Sequence, residues 1–543
     1  MGMQPVQNML RADKDLLPAL ELLSQRLDGL LAALDDASAS SPPRALDQYQ
    51  PDIEAAWERI KSGMGQNSDV LLRRLRVPSV PGGPVLIAAI DGLADTQMID
   101  QDIIGPLLHA TSPPETWDEQ ELTPVHISAE SEWPQLLESL AAGNTLIFAP
   151  GLAHVWVVDT VHYRQRGIQR PQTEAAVRGS EESFNEILLT QKNQIRRRLL
   201  TPALRFHDLR VGRLQATAVS LAYIQNLANP SVVNVALSRL QAISVDGVPN
   251  SAAISGLIRD HPQSVFPTIR ATERLDIVVW HLLQGSVAVL VDGDPFVLLA
   301  PAPLVDFYRT SMDYSSTWVD TSFVRLIRFT GWLLGMYLPA AYIALADVNP
   351  NLIPSPIYTI MQGSNAGVPF SPLVEVLLMI VIIEILRESA LRLPKVMSST
   401  LGTVGAIVVG TAVVRAGLVD PQVIVMMTLT ALALFSTPVY ELTGAWRVVG
   451  LALLLGGALF GVFGIIIVTI WFVGTLIEMQ SFGTPYLSPW APFRGAEWPD
   501  AFSRVPWSMM TARWADARPR RPTWRRPGPD VPRPHLRRWR PKP

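Results

Sequence analysis

Between Arg325 and Met479 the chain carries a succession of apolar segments too long and too numerous for one soluble core. Stretches at 326–347, 372–390, 400–419, 421–443 and 447–477 are mostly near the roughly 20 apolar residues that a bilayer core requires. They predict a polytopic α-helical transmembrane bundle, residues 321–480. At 543 residues the chain has room for about three domains, and the acids lie mainly ahead of the apolar half.

The second span carries Glu375 near its start and Glu384, Arg387 and Glu388 near its end. An ionised side chain at mid-membrane costs about 2.5–3.5 kcal/mol on insertion scales, so this segment has to face protein or water, or lie partly at the surface. The connection 348–371 holds no Lys or Arg and reads as external, whereas 387–395 reads as internal through Arg387, Arg392 and Lys395. Arg447 agrees. Five complete spans would leave the Arg- and Pro-rich end of the chain outside, which points to a re-entrant or interfacial segment, either the second or the fifth. A bend at Gly456-Gly457 is one way for the fifth to adjust.

Ahead of the bundle, residues 1–80 read as a flexible helix and linker, with apolar residues at helical spacing over 16–34 broken by ASASSPPR (37–44). The runs VLIAAIDG (85–92), NTLIFAPG (144–151) and HVWVVDTV predict strands of a first α/β subdomain, 81–170. A second, 171–320, opens on a polar helical stretch through residue 199. It continues with ATAVSLAYI and PSVVNVALSRLQAI and closes on SVAVLVDGDPFVLLAP, a hairpin turning at Asp292-Gly293. Residues 481–512 form a membrane-proximal segment and 513–543 a basic, disordered tail suited to anionic headgroups rather than nucleic acid. The amino-terminal sequence has acids early and no long apolar stretch, so the α/β region is expected to be cytoplasmic.

The chain has no cysteine, which excludes disulfides, thiolate metal sites and a Cys nucleophile. No GxxxxGK[ST], HExxH or GxSxG occurs, and the eight histidines lack ligand spacing, so no enzyme, metal or cofactor is expected. The group Asp91, Asp95, Asp100 and Asp102 lacks the spacing of a calcium loop and reads as helix capping.

Ten segments, taken in order, carry a resemblance. In the first half they are IDGLADTQMIDQDIIGPL (90–107), RPQTEAAVRGSEESFNEIL (170–188), NQIRRRL (193–199), YIQNLANPSVV (223–233) and FPTIRATERLD (266–276). In the second they are MDYSS (312–316), YLPAAYIAL (337–345), VPFSPLVEVLLM (368–379), EILRESALRLPK (384–395) and SFGTPYLSPWAP (481–492). Together they resemble the A subunits of GerA-type spore germinant receptors. The resemblance implies a spore inner-membrane protein that starts germination with a B subunit and a lipoprotein C subunit. It also implies homo-oligomerisation into a pentameric ring, a nutrient-gated channel for monovalent cations, with the nutrient reaching it through the B subunit. Leu275 stands where the family pattern has Pro, and the extension beyond Arg513 is longer than that pattern needs.

Two residue groups become candidates on this footing. Glu375, Glu384 and Glu388 are candidates for the ion pathway, because carboxylates repeated around an axis attract cations and lower their dehydration barrier. Glu384 and Glu388 share a helical face while Glu375 lies nearly opposite. Pairing of Glu384 and Glu388 with Arg387, Arg392 or Lys395 is the structural alternative. Arg170, Glu174, Arg178, Glu182, Glu186 and Arg196, Arg197 and Arg198 form either a solvated, salt-bridged helix or a subunit interface whose charges fix register. Gly402, Gly405, Gly410, Gly457 and Gly461 allow close helix packing.

Overall fold

The computed structural model describes residues 47–524 except 65–66, 81, 125, 163–169, 175, 177, 366, 393–411 and 496. The 16–34 helix, Lys395, most of the 400–419 span, Gly402, Gly405, Gly410 and the chain beyond Trp524 lie outside the described residues.

The first subdomain begins earlier than expected. Helix α1 (Ile53–Met64) and strand β1 (Val70–Leu75) precede β2 (Val85–Ile90), so 47–80 is part of the fold rather than a linker. After β3 (Ile127–Glu130), helix α2 (Trp133–Ala142) leads into β4 (Thr145–Phe148) and β5 (Val155–Val158). The five strands form an antiparallel sheet in the order β1-β2-β4-β5-β3. Strand β2 is buried along its whole length because both sheet faces are covered. Val85, Ile87 and Ala89 pack with Ile103, Leu107 and Trp117, while Leu86, Ala88 and Ile90 pack with Ile60 of α1 and Leu136 of α2. An uninterrupted apolar run is the sequence trace of that arrangement.

The second subdomain repeats the plan. It contains α3 (Leu188–Arg198), β6 (Leu204–Val211), β7 (Thr217–Ile224), α4 (Pro230–Gln241), α5 (Ser251–Ile258), β8 (Arg270–Thr272), α6 (Leu275–Gln284), β9 (Val287–Val291) and β10 (Val297–Ala300). The sheet order is β6-β7-β9-β10-β8, the same sequence of places as in the first sheet. Helices α2 and α6 both end on a left-handed glycine, Gly143 and Gly285, immediately before the next strand. A buried pair ties the subdomains together: Arg196 Nε and Nη2 donate to Asp69 at 2.5 and 2.9 Å, with neither side chain exposed.

The helical stretch predicted from 171 is corrected here: among the described residues, helix starts only at Leu188. Upstream side chains are engaged in tertiary bonds instead. Glu273 accepts from the backbone and hydroxyl of Thr173, and Glu174 accepts from Thr272. Gly179 sits at φ +135°, which ends any helical run.

Beyond Pro303 come α7 (Trp318–Ile343), α8 (Ser355–Asn365), α9 (Pro372–Arg392) and α10 (Pro421–Phe435). The last apolar segment, Tyr440–Glu478, is two helices rather than one. At Gly461 the backbone takes φ 61° and ψ −141°, and the chain reverses into legs α11 (440–460) and α12 (462–478). The break is at Gly461, not at Gly456-Gly457. The legs touch along their length: a Cβ on Gly464 would lie 1.8 Å from the Gly456 carbonyl, and Trp446 and Phe472 meet with ring centroids 6.0 Å apart. Asn349, just past the far end of α7, caps the turn by accepting from Val462 N at 3.0 Å. A Cβ on Gly457 would come within 2.9 Å of the Ala340 carbonyl, so Gly457 lets α11 approach α7.

The bundle therefore has a near end at the α/β subdomains and a far end at Asn349 and Gly461. At the near end Phe266, Phe307, Trp446, Phe472 and Tyr486 share one core. The chain after Met479 stays at that end. Ser481 Oγ donates to Thr268 O at 2.6 Å, and Arg520 N to Leu227 O at 2.9 Å. The structured chain extends through 513–524, with Trp514, Asp516 and Ala517 buried, so the region taken as a disordered tail is in this stretch a docked segment.

Candidate functional site

Two charged constellations stand out from the aliphatic packing, one inside the bundle and one at its near end. Inside, Glu375 is fully buried one turn into α9, among Ile343, Val376, Met379, Val419 and Val423. Its Oε2 accepts from Asp420 N at 2.6 Å. Asp420, itself buried, caps α10 by accepting from Gln422 N at 2.9 Å. Among the described residues no basic side chain pairs with Glu375, and its Oε1 has no hydrogen-bond partner. A carboxylate so placed needs a proton, a cation or water, because burial of an unpaired charge is costly.

Glu384 lies about two turns further along α9, toward the near end. It is held by Arg387 on its own helix and by Arg447 Nη1 of α11 at 2.9 Å. Sequence reading anticipated the first partner and missed the second. Glu388 follows one turn later. Glu375 and Glu384 thus sit at different depths and serve different neighbours.

The charges of the proposed subunit interface divide in two. Arg196 is spent on Asp69, while Glu182 is buried and taken by Arg197 and, at 2.9 Å, by Arg198. Glu174 faces Arg270 of its own chain at 3.5 Å. Arg170, Arg178 and Glu186 remain on the exposed surface, with Arg170 close to Glu181 at 3.0 Å.

At the near end a second network joins three parts of the chain. Asp313, in the capping box of the short helix Ser311–Ser315, accepts from Arg325 Nε at 2.9 Å and pairs with Arg328 at 2.9 Å. Arg325 Nη1 also reaches Asp500 Oδ1 at 3.2 Å and Asp500 O at 2.7 Å. Asp500 in turn accepts from Tyr314 at 3.1 Å and Trp514 at 3.2 Å. Arg325 and Asp500 are 175 residues apart in sequence, so only the MDYSS motif pointed at this cluster.

His281, on α6 beside this network, is buried, and its Nε2 lies 3.4 Å from Asp306 Oδ1. Burial pushes its pKa down to about 4, against which the neighbouring Asp306 charge is the smaller effect. The imidazole is therefore neutral near pH 7, and the contact is a dipolar one rather than an ion pair. With the folded value depressed, the unfolded chain takes up the proton first. The stability tied to neutral His281 is full above about pH 6.5 and is lost as pH falls toward 4. Acid unfolding monitored by near-ultraviolet dichroism is expected to show a loss on the order of 2–3 kcal/mol over that window. His281→Gln should flatten it; an unchanged slope would remove His281 as the cause.

Comparison with known proteins bears directly on this arrangement. The Bacillus/Clostridium GerA spore germination protein family matches residues 58–515, spanning both sheets and the bundle and ending at the start of the docked segment. The chain belongs to this family. GerA-family relatives include spore germination protein KA of Bacillus subtilis strain 168, 35% identical over 86% of each chain. Spore germination protein B1 of the same strain is 32% identical over 86% of this chain and 97% of its own. The crystal structure of the N-terminal domain of the A subunit of the Bacillus megaterium spore germinant receptor GerK3 is 28% identical. It covers 48% of this chain and 98% of that one, with a TM-score of 0.36. The GerA spore germination family is the one to which the ten motifs pointed.

Proposed function

We propose that this GerA-family chain is the A subunit of a nutrient germinant receptor in the spore inner membrane. Copies of it assemble as a ring, with a B subunit and a lipoprotein C subunit, and nutrient bound at the B subunit opens a path for monovalent cations. Placement in a bilayer is supported by Trp318–Val348, which has the length and apolar character to cross one, and by the strongly apolar legs of Tyr440–Glu478. The bundle also exposes large apolar side chains, among them Val425, Leu459, Phe463 and Ile470, that water disfavours and lipid or a neighbouring subunit suits. Arg387 and Arg447 lie toward the near end, against Arg415 on the far connection, which supports a cytoplasmic α/β region. The hairpin at Gly461 returns the chain to that side, which supports a C-terminal segment on the same side as the α/β region.

The observation that carries the ion-path reading is Glu375, an acid without a basic partner among the described residues, in an aliphatic interior beside Asp420. A carboxylate attracts a monovalent cation 4 Å away by about 4 kcal/mol at an effective dielectric of ~20. Losing even a third of that predicts a fall in flux of at least about tenfold for Glu375→Gln in receptor reconstituted in vesicles. Glu384→Gln and Glu388→Gln should change flux less, since Glu384 has Arg387 and Arg447 beside it. Unaltered nutrient-triggered flux and selectivity in all three variants would make the carboxylates structural.

A carrier is the second reading, favoured by one feature: Glu375 is buried within one chain, accepting from the Asp420 backbone, rather than lying on its outer surface. Saturable exchange would support it, and currents too large for stepwise carriage would support the channel.

A further inference from the structure

Helix α8 (Ser355–Asn365) takes part in neither the ion path nor the interface charges. At about 1.5 Å per residue its 11 residues span roughly 16 Å, far short of the roughly 30 Å of a bilayer core, so it does not cross. A short apolar helix of this kind is either packed inside a protein core or lies at an interface. Exposure excludes the core. Ile357 is 52% and Ile360 66% exposed, and a Cβ on Gly363 would meet nothing within 4 Å.

The helix is two-faced in sequence. At helical spacing Ile357, Ile360 and Met361 share one apolar arc, and Ser355 and Gln362 fall opposite. Its polar side chains are satisfied locally or face water: Gln362 Nε2 donates to the Tyr358 hydroxyl at 2.6 Å, and Thr359 Oγ1 to Pro356 O at 2.9 Å. Helix α8 packs on α10 with Tyr358 and Met361 half-buried, which leaves the Ile357 and Ile360 edge of the arc exposed.

Charge and depth decide what covers that edge. From Val348 to Ser371 the sequence has no Asp, Glu, Lys or Arg, so the stretch offers nothing to a charged protein surface. Depth follows from the far end of the bundle, where α8 lies just past the Asn349 turn. Phe460 and Phe463 beside Gly461 at that end are 64% and 75% exposed, so the tip of the hairpin is itself suited to acyl chains.

We infer that α8 lies along the membrane interface at the far end, with Ile357 and Ile360 against lipid acyl chains and Gln362 toward water. An amphipathic helix in that plane buries its apolar face at the boundary of headgroups and chains. Because α8 precedes α9, it sets the level at which Glu375, one turn into α9, enters the membrane. The inference rests on the bilayer placement above and not on the ring or the channel.

The test exploits the absence of cysteine. Full-length chains carrying Ile360→Cys, Gln362→Cys or Phe463→Cys are labelled with an environment-sensitive NBD fluorophore and reconstituted in phosphatidylcholine vesicles. Quenching by lipid bearing a nitroxide high on its acyl chain is expected to be about threefold or more greater at position 360 than at 362, and aqueous iodide should show the reverse order. Position 463 is the bilayer control. Lipid quenching at 463 but not at 360 overturns this inference alone, and its absence at both overturns the bilayer placement together with it. A label at 360 shielded from both quenchers means that protein covers the face, and equal lipid quenching at 360 and 362 means that the helix has no water-facing side; either result overturns the inference.

Discussion

Gly461→Val is expected to lower sharply the yield of folded, correctly threaded chain in the membrane. The backbone at 461 has φ 61° and ψ −141°, a conformation that a β-branched residue adopts only with strain of about 1–3 kcal/mol. Sterics add to it. A Cβ would lie 1.8 Å from Asn349 Oδ1, so Asn349 must move and release Val462 N, a further loss of about 1 kcal/mol. Against a typical total stability of about 5–15 kcal/mol the sum is severe, and it acts on the element that sets on which side the C-terminal segment ends. The cysteine-free chain makes the readout direct: a single Ser508→Cys reporter should react with impermeant maleimide from the side of the α/β domain in the parent protein. In the Gly461→Val chain, detergent extracts should contain less monodisperse protein and a larger fraction labelled from the opposite side. Asn349→Ala, which removes one hydrogen bond and adds no bulk, should be milder. Parent-like labelling and yield from Gly461→Val would show that the hairpin does not depend on this glycine.

Arg325→Ala is the second large effect. Arg325 is buried between Asp313 and Asp500, and removing one member of a buried ion-pair network leaves its partners uncompensated, at about 3–5 kcal/mol. The loss falls on a joint among the second subdomain, the start of α7 and the docked C-terminal segment. Limited proteolysis should therefore release fragments beyond Met479 early, and spores carrying the variant should fail to respond to nutrient. Arg325→Lys keeps the charge but loses the fork that bridges Asp313 and Asp500, so it should fall between the two. Protection equal to that of the parent in Arg325→Ala would mean that the segment is held by its aromatic contacts alone.

Both positions show where sequence reading reaches its limit. The α/β character and the apolar half were legible, because strand runs such as VLIAAI and segments of membrane length leave periodic traces in one dimension. The turn at Gly461 was not. Its flanks are apolar on both sides, and Gly456-Gly457 offers an equally permissive site, so only the contact with Asn349, 112 residues earlier, decides between them. The Arg325–Asp500 pair is hidden for the same reason, since a basic residue at the head of a span reads as an ordinary interfacial anchor. The stretch 171–187 misled in the opposite sense. Its charges recur at helical spacing, yet Glu174 and Glu182 turn to tertiary partners, and helix propensity yields to those bonds. The doubled sheet plan left only a faint trace, the glycine after α2 and after α6, because packing constrains residue character there more than identity. Of the candidate site, the acidic positions were visible as misfits in an apolar run. Their separation into a Glu375 with no basic partner among the described residues and a paired Glu384 required the neighbouring helices.

The most direct test of the ion-path account is an electron-microscopic image of the purified receptor in nanodiscs at a resolution that shows side chains. The account predicts several copies of this chain around an axis, a pentameric ring on the family pattern, with Glu375 opening onto a continuous hydrated path. A single copy, or a ring in which Glu375 is sealed from every aqueous path in both resting and nutrient-bound states, would contradict it.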